Sequence, residues 1–211
     1  MKSVKTGIIC LTLGALFLLV LPGLTGKPLP KSAGLSAPSV GPSSSVHTVH
    51  RVVRINQLDL AQYTSRQEYE VWSPSTCSTT AMTEVMNAYG RHYRIADVLH
   101  VQAGLHEITP ELGLLEDTGI VRTVARFGFH AALHHDLSLD QIIALANSGE
   151  PVIVDFPPSQ WPGGHLLVVV GGNATTVDVV DSSSLNIPSF SRARFLNLWA
   201  GFAALITPQA S

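Results

Sequence analysis

An α+β domain is predicted for most of this 211-residue chain, on three observations. Apolar residues recur at three- and four-residue steps through the first half of the domain, as on helices with one buried stripe. Near-continuous apolar runs follow at Pro151–Phe156 and His165–Val170, as in strands covered on both faces. Between the second run and Thr176–Asp181 stands Gly171-Gly172-Asn173-Ala174, a sequence suited to a hairpin turn. Helices ahead of an antiparallel sheet make the class α+β.

Residues 1–26 read as a signal peptide or membrane anchor. Lys2 and Lys5 precede a charge-free run from Gly7 to Leu21, and no clear small-residue cleavage site follows it. A run of 15 residues lies between the ~7–15 of a signal-peptide core and the ~20 of a spanning helix, and both readings export the domain. Its expected place is outside the cell or on the outer face of the membrane. Residues 27–46, rich in Pro, Ser and Gly, read as a flexible linker that buries too little to fold. Residues 47–208 are the predicted domain. A net charge of −2 shows neither a nucleic-acid footprint nor an acidic tail, so no nucleic-acid partner is expected. Membrane contact is expected only through the N-terminal segment, and the domain is read as a monomer.

Val49–Ile55 reads as a short strand, and Asn56–Trp72 has no single period. Ser73–Gly90 carries Ala81, Met82, Val85, Met86 and Tyr89 on one helical stripe, with Ser75 or Thr76 as cap and Gly90 as left-handed stop. Further helices are expected at Ile95–Gln102, at Thr109–Asp117 with Pro110 in the first turn, and at Ile120–Phe127 before Gly128. Phe129–Leu133 reads as a strand. A helix then runs to Ala146, with Ser138 and Gln141 as a capping box and Gly149 closing it. After the strand at Pro151–Phe156, Pro157–Gly164 reads as a loop. Phe190–Leu198 is a helix or turn, and Trp199–Ile206 a closing strand stopped by Pro208.

Cys77 stands at the start of its helix, where unpaired amides and the positive end of the dipole favour a thiolate. The other cysteine, Cys10, lies in the export segment and cannot pair with it. A lone thiol in an exported domain risks oxidation, which favours a used cysteine over a small buried hydrophobe. If the hairpin turn is centred on Asn173, His165 faces Asp181, with Cβ atoms ~4.5–5.5 Å apart, and Asp178 faces Val168. A carboxylate at Asp181 can hold one imidazole nitrogen while the other takes a proton from Cys77.

The order Cys77, then Gly164-His165-Leu166-Leu167-Val168-Val169-Val170, then Val179-Val180-Asp181, then Trp199-Ala200-Gly201 resembles the papain-like peptidases of the bacteriocin leader-processing family. It is most similar to their stand-alone exported relatives, over roughly residues 54–207. The resemblance implies a papain-like fold, peptide-bond hydrolysis without metal or organic cofactor, and a peptide or protein substrate. It assigns Cys77 as nucleophile, His165 as base and then acid, and Asp181 as the orienting group. A family glutamine that donates to the oxyanion is carried to Gln57, with Gln62 and Gln67 as alternatives. Two positions depart from the pattern: Cys77-Ser78-Thr79 replaces Cys-Gly-Pro, and Asp181-Ser182 replaces Asp-Pro. Ser78 is expected to narrow the cleft.

The rival reading is a catalytically silent peptide- or envelope-binding module, and acyl or peptidyl transfer on the same triad is a third. His134-His135-Asp136 reads as a solvated loop rather than a metal site, because adjacent side chains diverge. His92, His100 and His106 read as exposed helix ends, and Asp155 as a turn residue. Trp161 either lines a cleft or packs.

Overall fold

The computed structural model describes residues 49–210, so the export segment and the linker expected at 1–26 and 27–46 lie outside the described residues. Chain order runs α1 (Arg66–Trp72), α2 (Cys77–Ala88), α3 (Ile95–Gly104), β1 (Ile108–Thr109), β2 (Gly113–Leu114) and α4 (Thr118–Ala125). Then come β3 (Phe129–His134), α5 (Leu139–Asn147), β4 (Val152–Phe156), β5 (His165–Gly172), β6 (Thr176–Val180), β7 (Ser189–Ser191), α6 (Arg192–Leu198) and β8 (Ala203–Pro208). The six long-range strands form one antiparallel sheet in the order β3-β8-β4-β5-β6-β7. The class is α+β, as the sequence predicts.

The apolar runs are explained by helices on both faces of the sheet. Ile153, Val168, Ala204 and Ile206 pack with Met82, Val85 and Met86 of α2 and with Ile120 and Val124 of α4. The alternate residues Val152, Val154, Leu167, Val169 and Ala203 pack with Ile142 and Ile143 of α5 and Phe195 of α6. Because strand side chains alternate, a strand covered twice needs no polar positions. Gly90, at φ +85, ends α2 in a conformation that an L side chain rarely adopts.

Two elements differ from expectation. Val49–Ile55 is an extended strap, not a strand: Val53 is 71% exposed, and the segment is fixed by scattered bonds in place of a ladder. Its anchors include His50 N–H to the Ala88 carbonyl at 2.7 Å and Gln57 N–H to the Ser182 carbonyl at 3.0 Å. Thr109–Asp117 is not a helix but contains the β1–β2 hairpin, in which Ile108 faces Leu114. The Thr109 hydroxyl accepts the Leu112 N–H at 3.2 Å, and Leu112 is 75% exposed, so no helical stripe has a core to face.

Candidate active site

Helix α2 presents Cys77 at its first position, half-buried and free. The expected cap is absent. The Thr76 hydroxyl lies 2.8 Å from the Tyr63 hydroxyl, and the Ser75 hydroxyl donates to the Trp72 carbonyl at 3.1 Å. Thr80 N–H is the first to find an acceptor within the helix, the Thr76 carbonyl at 2.8 Å. The first-turn amides of α2 therefore have no side-chain cap.

His165 opens β5 directly after Gly163 and Gly164, both at positive φ. At Gly164 a Cβ would meet the Pro158 ring at 3.3 Å, so glycine lets the chain turn tightly into the histidine. The His165 ring is almost wholly buried and stacks near Trp161, with ring centroids 6.0 Å apart at 25°. Trp161 thus packs on the imidazole. Nε2–H of His165 donates to Oδ1 of Asp181 at 2.8 Å, which leaves the other nitrogen free of that bond in the cleft that Cys77 also lines.

Asp181 receives four donors. Oδ1 also accepts Ser183 N–H at 2.8 Å, and Oδ2 accepts the Ser183 hydroxyl and Ile187 N–H, each at 2.9 Å. Burial pushes its pKa up, but the bonds from His165, Ile187 and Ser183 outweigh that and hold it below the usual carboxylate range. For His165, burial pulls the pKa down; the bonds and charges of Asp181 and Cys77 oppose it and raise it to about 9. The arrangement can accept a proton from sulfur and keep it.

The β5–β6 register differs from the expected one. Val168 faces Val180 and Val169 faces Val179, and after a shift Gly171 faces Asp178. Asp178 therefore faces Gly171 and not Val168. Carried one residue further, the same register sets Leu167 and not His165 across from Asp181. The His165–Asp181 bond is diagonal.

Gln57 lies buried between Ser73 and Ser182. Its Nε2 donates to the Ser73 carbonyl at 3.0 Å, and its Oε1 accepts the Ser182 hydroxyl at 2.8 Å. The Ser182 hydroxyl is a bond that proline could not supply. Of the alternatives, Gln62 accepts Ile95 N–H at 3.4 Å, and Gln67 is exposed on α1. Ser78, expected to narrow the cleft, is fully buried and accepts from Gln102 of α3 at 3.4 Å. It faces the interior.

Cys77 and His165 open onto a cleft of about 340 Å³, with Gly113, Asp117 and Asp155 also in its lining. Asp155 is no turn residue. It sits on β4 opposite Leu166, and burial together with the charge of Asp117 raises its pKa to about 6 against the opposing pull of His165. A carboxylate alone in an apolar strand was the available signal. His92, His100 and His106 are exposed, with His100 paired to Glu68. His134 ends β3 near Asp136, and His135 lies 3.8 Å from Asp117. Among the described residues no group of His, Cys, Asp and Glu is placed to hold a metal ion.

The sequence matches the model of the Peptidase_C39 like family over residues 49–205. No curated protein matches it. Among solved structures it is similar to the peptidase domain of Streptococcus ComA, a bi-functional ABC transporter involved in quorum sensing, with TM-score 0.58 and 21% identity over 75% of this chain and 99% of that one. A C39-like peptidase from Bacillus anthracis gives TM-score 0.54 and 14% identity over 76% and 96%. A double glycine motif protease from an AMS/PCAT transporter, solved with its leader peptide, gives 0.50 and 14% over 78% and 96%. At these identities the likeness is one of fold.

Proposed function

Because the chain belongs to the Peptidase_C39 like family, we propose that its cysteine peptidase-like domain hydrolyses peptide bonds outside the cell through Cys77, His165 and Asp181. The observation that carries this reading is the His165–Asp181 bond of 2.8 Å in the cleft that Cys77 also lines. His165 takes the Cys77 proton, and sulfur bonds to the scissile carbonyl carbon. The resulting oxyanion is met by the Cys77 amide and by the second N–H of the Gln57 side chain, whose first N–H is committed to Ser73. His165 then gives its proton to the departing nitrogen as the C–N bond breaks, leaving a thioester. Water, deprotonated by His165, attacks that thioester and releases the acid and the free thiol. Asp181 supports the imidazolium throughout.

Ser78, expected to narrow the cleft, is instead turned onto α3, which supports the enzymatic reading over its rival. Export rests on the sequence of residues 1–26, and the substrate is a peptide or protein segment entering the cleft beside Gly113 and Asp155. Treatment with iodoacetamide at neutral pH, followed by a fluorogenic peptide screen, tests the proposal. The wild-type protein is expected to label at Cys77 and to cleave, and C77A to do neither. A folded protein whose thiol reacts no faster than a free cysteine of pKa ~8.5 would overturn it.

A further inference from the structure

Four Asp, Glu and His side chains are buried among the described residues: His165, Asp181, Glu107 and Glu84. The first two hold each other, and Glu107 is held by Arg122. Glu84 is different. It lies on α2 seven residues after Cys77, is 1% exposed, and has no salt-bridge partner among the described residues. Its Oε1 accepts the Ile55 N–H at 2.7 Å, while its Oε2 is buried without a hydrogen-bond partner. Its neighbours along α2, including Val85 and Met86, are core side chains.

Ile55 belongs to the strap, and the strap joins the three parts of the site. Nε of Arg54 donates to the Asp181 carbonyl and Nη2 to the Ser183 carbonyl, each at 2.6 Å. Two residues beyond Ile55, Gln57 is bonded through backbone and side chain to Ser182 and through its side chain to Ser73. With no ladder to fix its height over α2, the strap depends here on the acceptor that Glu84 supplies.

We propose that Glu84 is a positioning residue for the reaction at Cys77: its carboxyl fixes the strap through Ile55 and thereby sets where the Gln57 amide stands. The inference rests on the peptidase reading and adds to it a residue that does not touch substrate.

The charge state follows from the surroundings. Glu84 is bonded by the Ile55 N–H of the strap, and the charges that act on it are those of Arg54 in the strap, Asp181 after β6 and His165 on β5. Burial dominates and raises its pKa well above the ordinary value; the Ile55 amide and Arg54 oppose this, Asp181 adds to it, and His165 opposes it. An unpaired buried carboxylate would be costly, so the site favours the protonated acid over the ion. Since the fold keeps a proton that the unfolded chain loses above about 4.5, stability falls as pH rises from there to the elevated value.

Two variants separate this role from a merely structural one. E84M removes the acceptor, and kcat is expected to fall about tenfold or more with KM little changed, as when a transition-state donor is misplaced. Its Cys77 alkylation rate is expected to match wild type. E84Q keeps an acceptor and carries no charge, so it is expected to recover most of the lost kcat and to flatten the fall of Tm with pH. Wild-type kcat in E84M, or E84Q as slow as E84M, would each overturn the proposal. If E84M is too unstable to assay, E84D decides: its carboxyl is one methylene short of Ile55, so a fall in kcat with unchanged Cys77 alkylation supports the proposal and wild-type kcat overturns it. An inert wild-type protein would sink the peptidase reading itself. Amide exchange at Ile55 and Gln57, faster in E84M if Glu84 holds the strap, would then still judge the present inference.

Discussion

Nε2 of His165 and Oδ1 of Asp181 stand 2.8 Å apart with both side chains almost wholly out of solvent. Asp181→Asn keeps the shape but withdraws the charge that supports an imidazolium. Activity measured as kcat/KM is expected to fall about 10³-fold. Because the Asp181 pKa is depressed, its stabilisation is present above its ordinary value of 3.8 and fades as pH falls through the depressed one. Denaturant melts should show D181N weaker by about 3–5 kcal/mol at neutral pH, with the gap closing in acid.

The raised pKa of His165 sets the alkaline side. The ring stays protonated up to about 9, so kcat/KM is expected to hold through neutral pH and decline above that value. Its stabilising contribution is complete below 6.5 and lost as pH rises through about 9. Melting curves of wild type against H165Q should converge over that interval. A constant gap would mean that the ring is not charged in the fold.

Asp155 costs stability when it ionises. With its pKa raised to about 6, the fold loses ground between pH 3.8 and about 6 and gains none of it back above. D155N is therefore expected to melt a few degrees higher than wild type at pH 7, a gain of about 1 kcal/mol for so incompletely buried a group. Below pH 3.8 the two should melt together.

Charge in the cleft predicts a preference. Its lining includes Glu111, Glu116, Asp117 and Asp155 and no Lys or Arg. Peptides bearing Lys or Arg are expected to be cleaved with higher kcat/KM than neutral analogues, and the advantage should shrink as salt screens it. Equal rates at low ionic strength would contradict this.

The fold was legible where period and punctuation agreed. The stripe on α2, the capping box of α5 and the doubly covered β4 all follow from local sequence. At the end of the hairpin next to the site the expected register missed by two positions, and an even slip leaves side chains there on their own face, so the carboxylate still reaches the imidazole. The strap was not legible, because its anchors are single bonds to residues such as Glu84 and Ser182 that no local pattern reveals. Glu84 itself was hidden by its place among core residues of α2, and Asp155 by the resemblance of a strand end to a turn.

The contacts between Arg54 and the Asp181 carbonyl and between Gln57 and Ser182 span 127 and 125 residues of chain. Closing so long a loop is entropically slow, and it cannot begin until Asp181–Ser183 have left the ribosome. The nascent polypeptide thus carries its lone described thiol through most of synthesis before the segment that holds His165 and fixes the strap exists to fold against it.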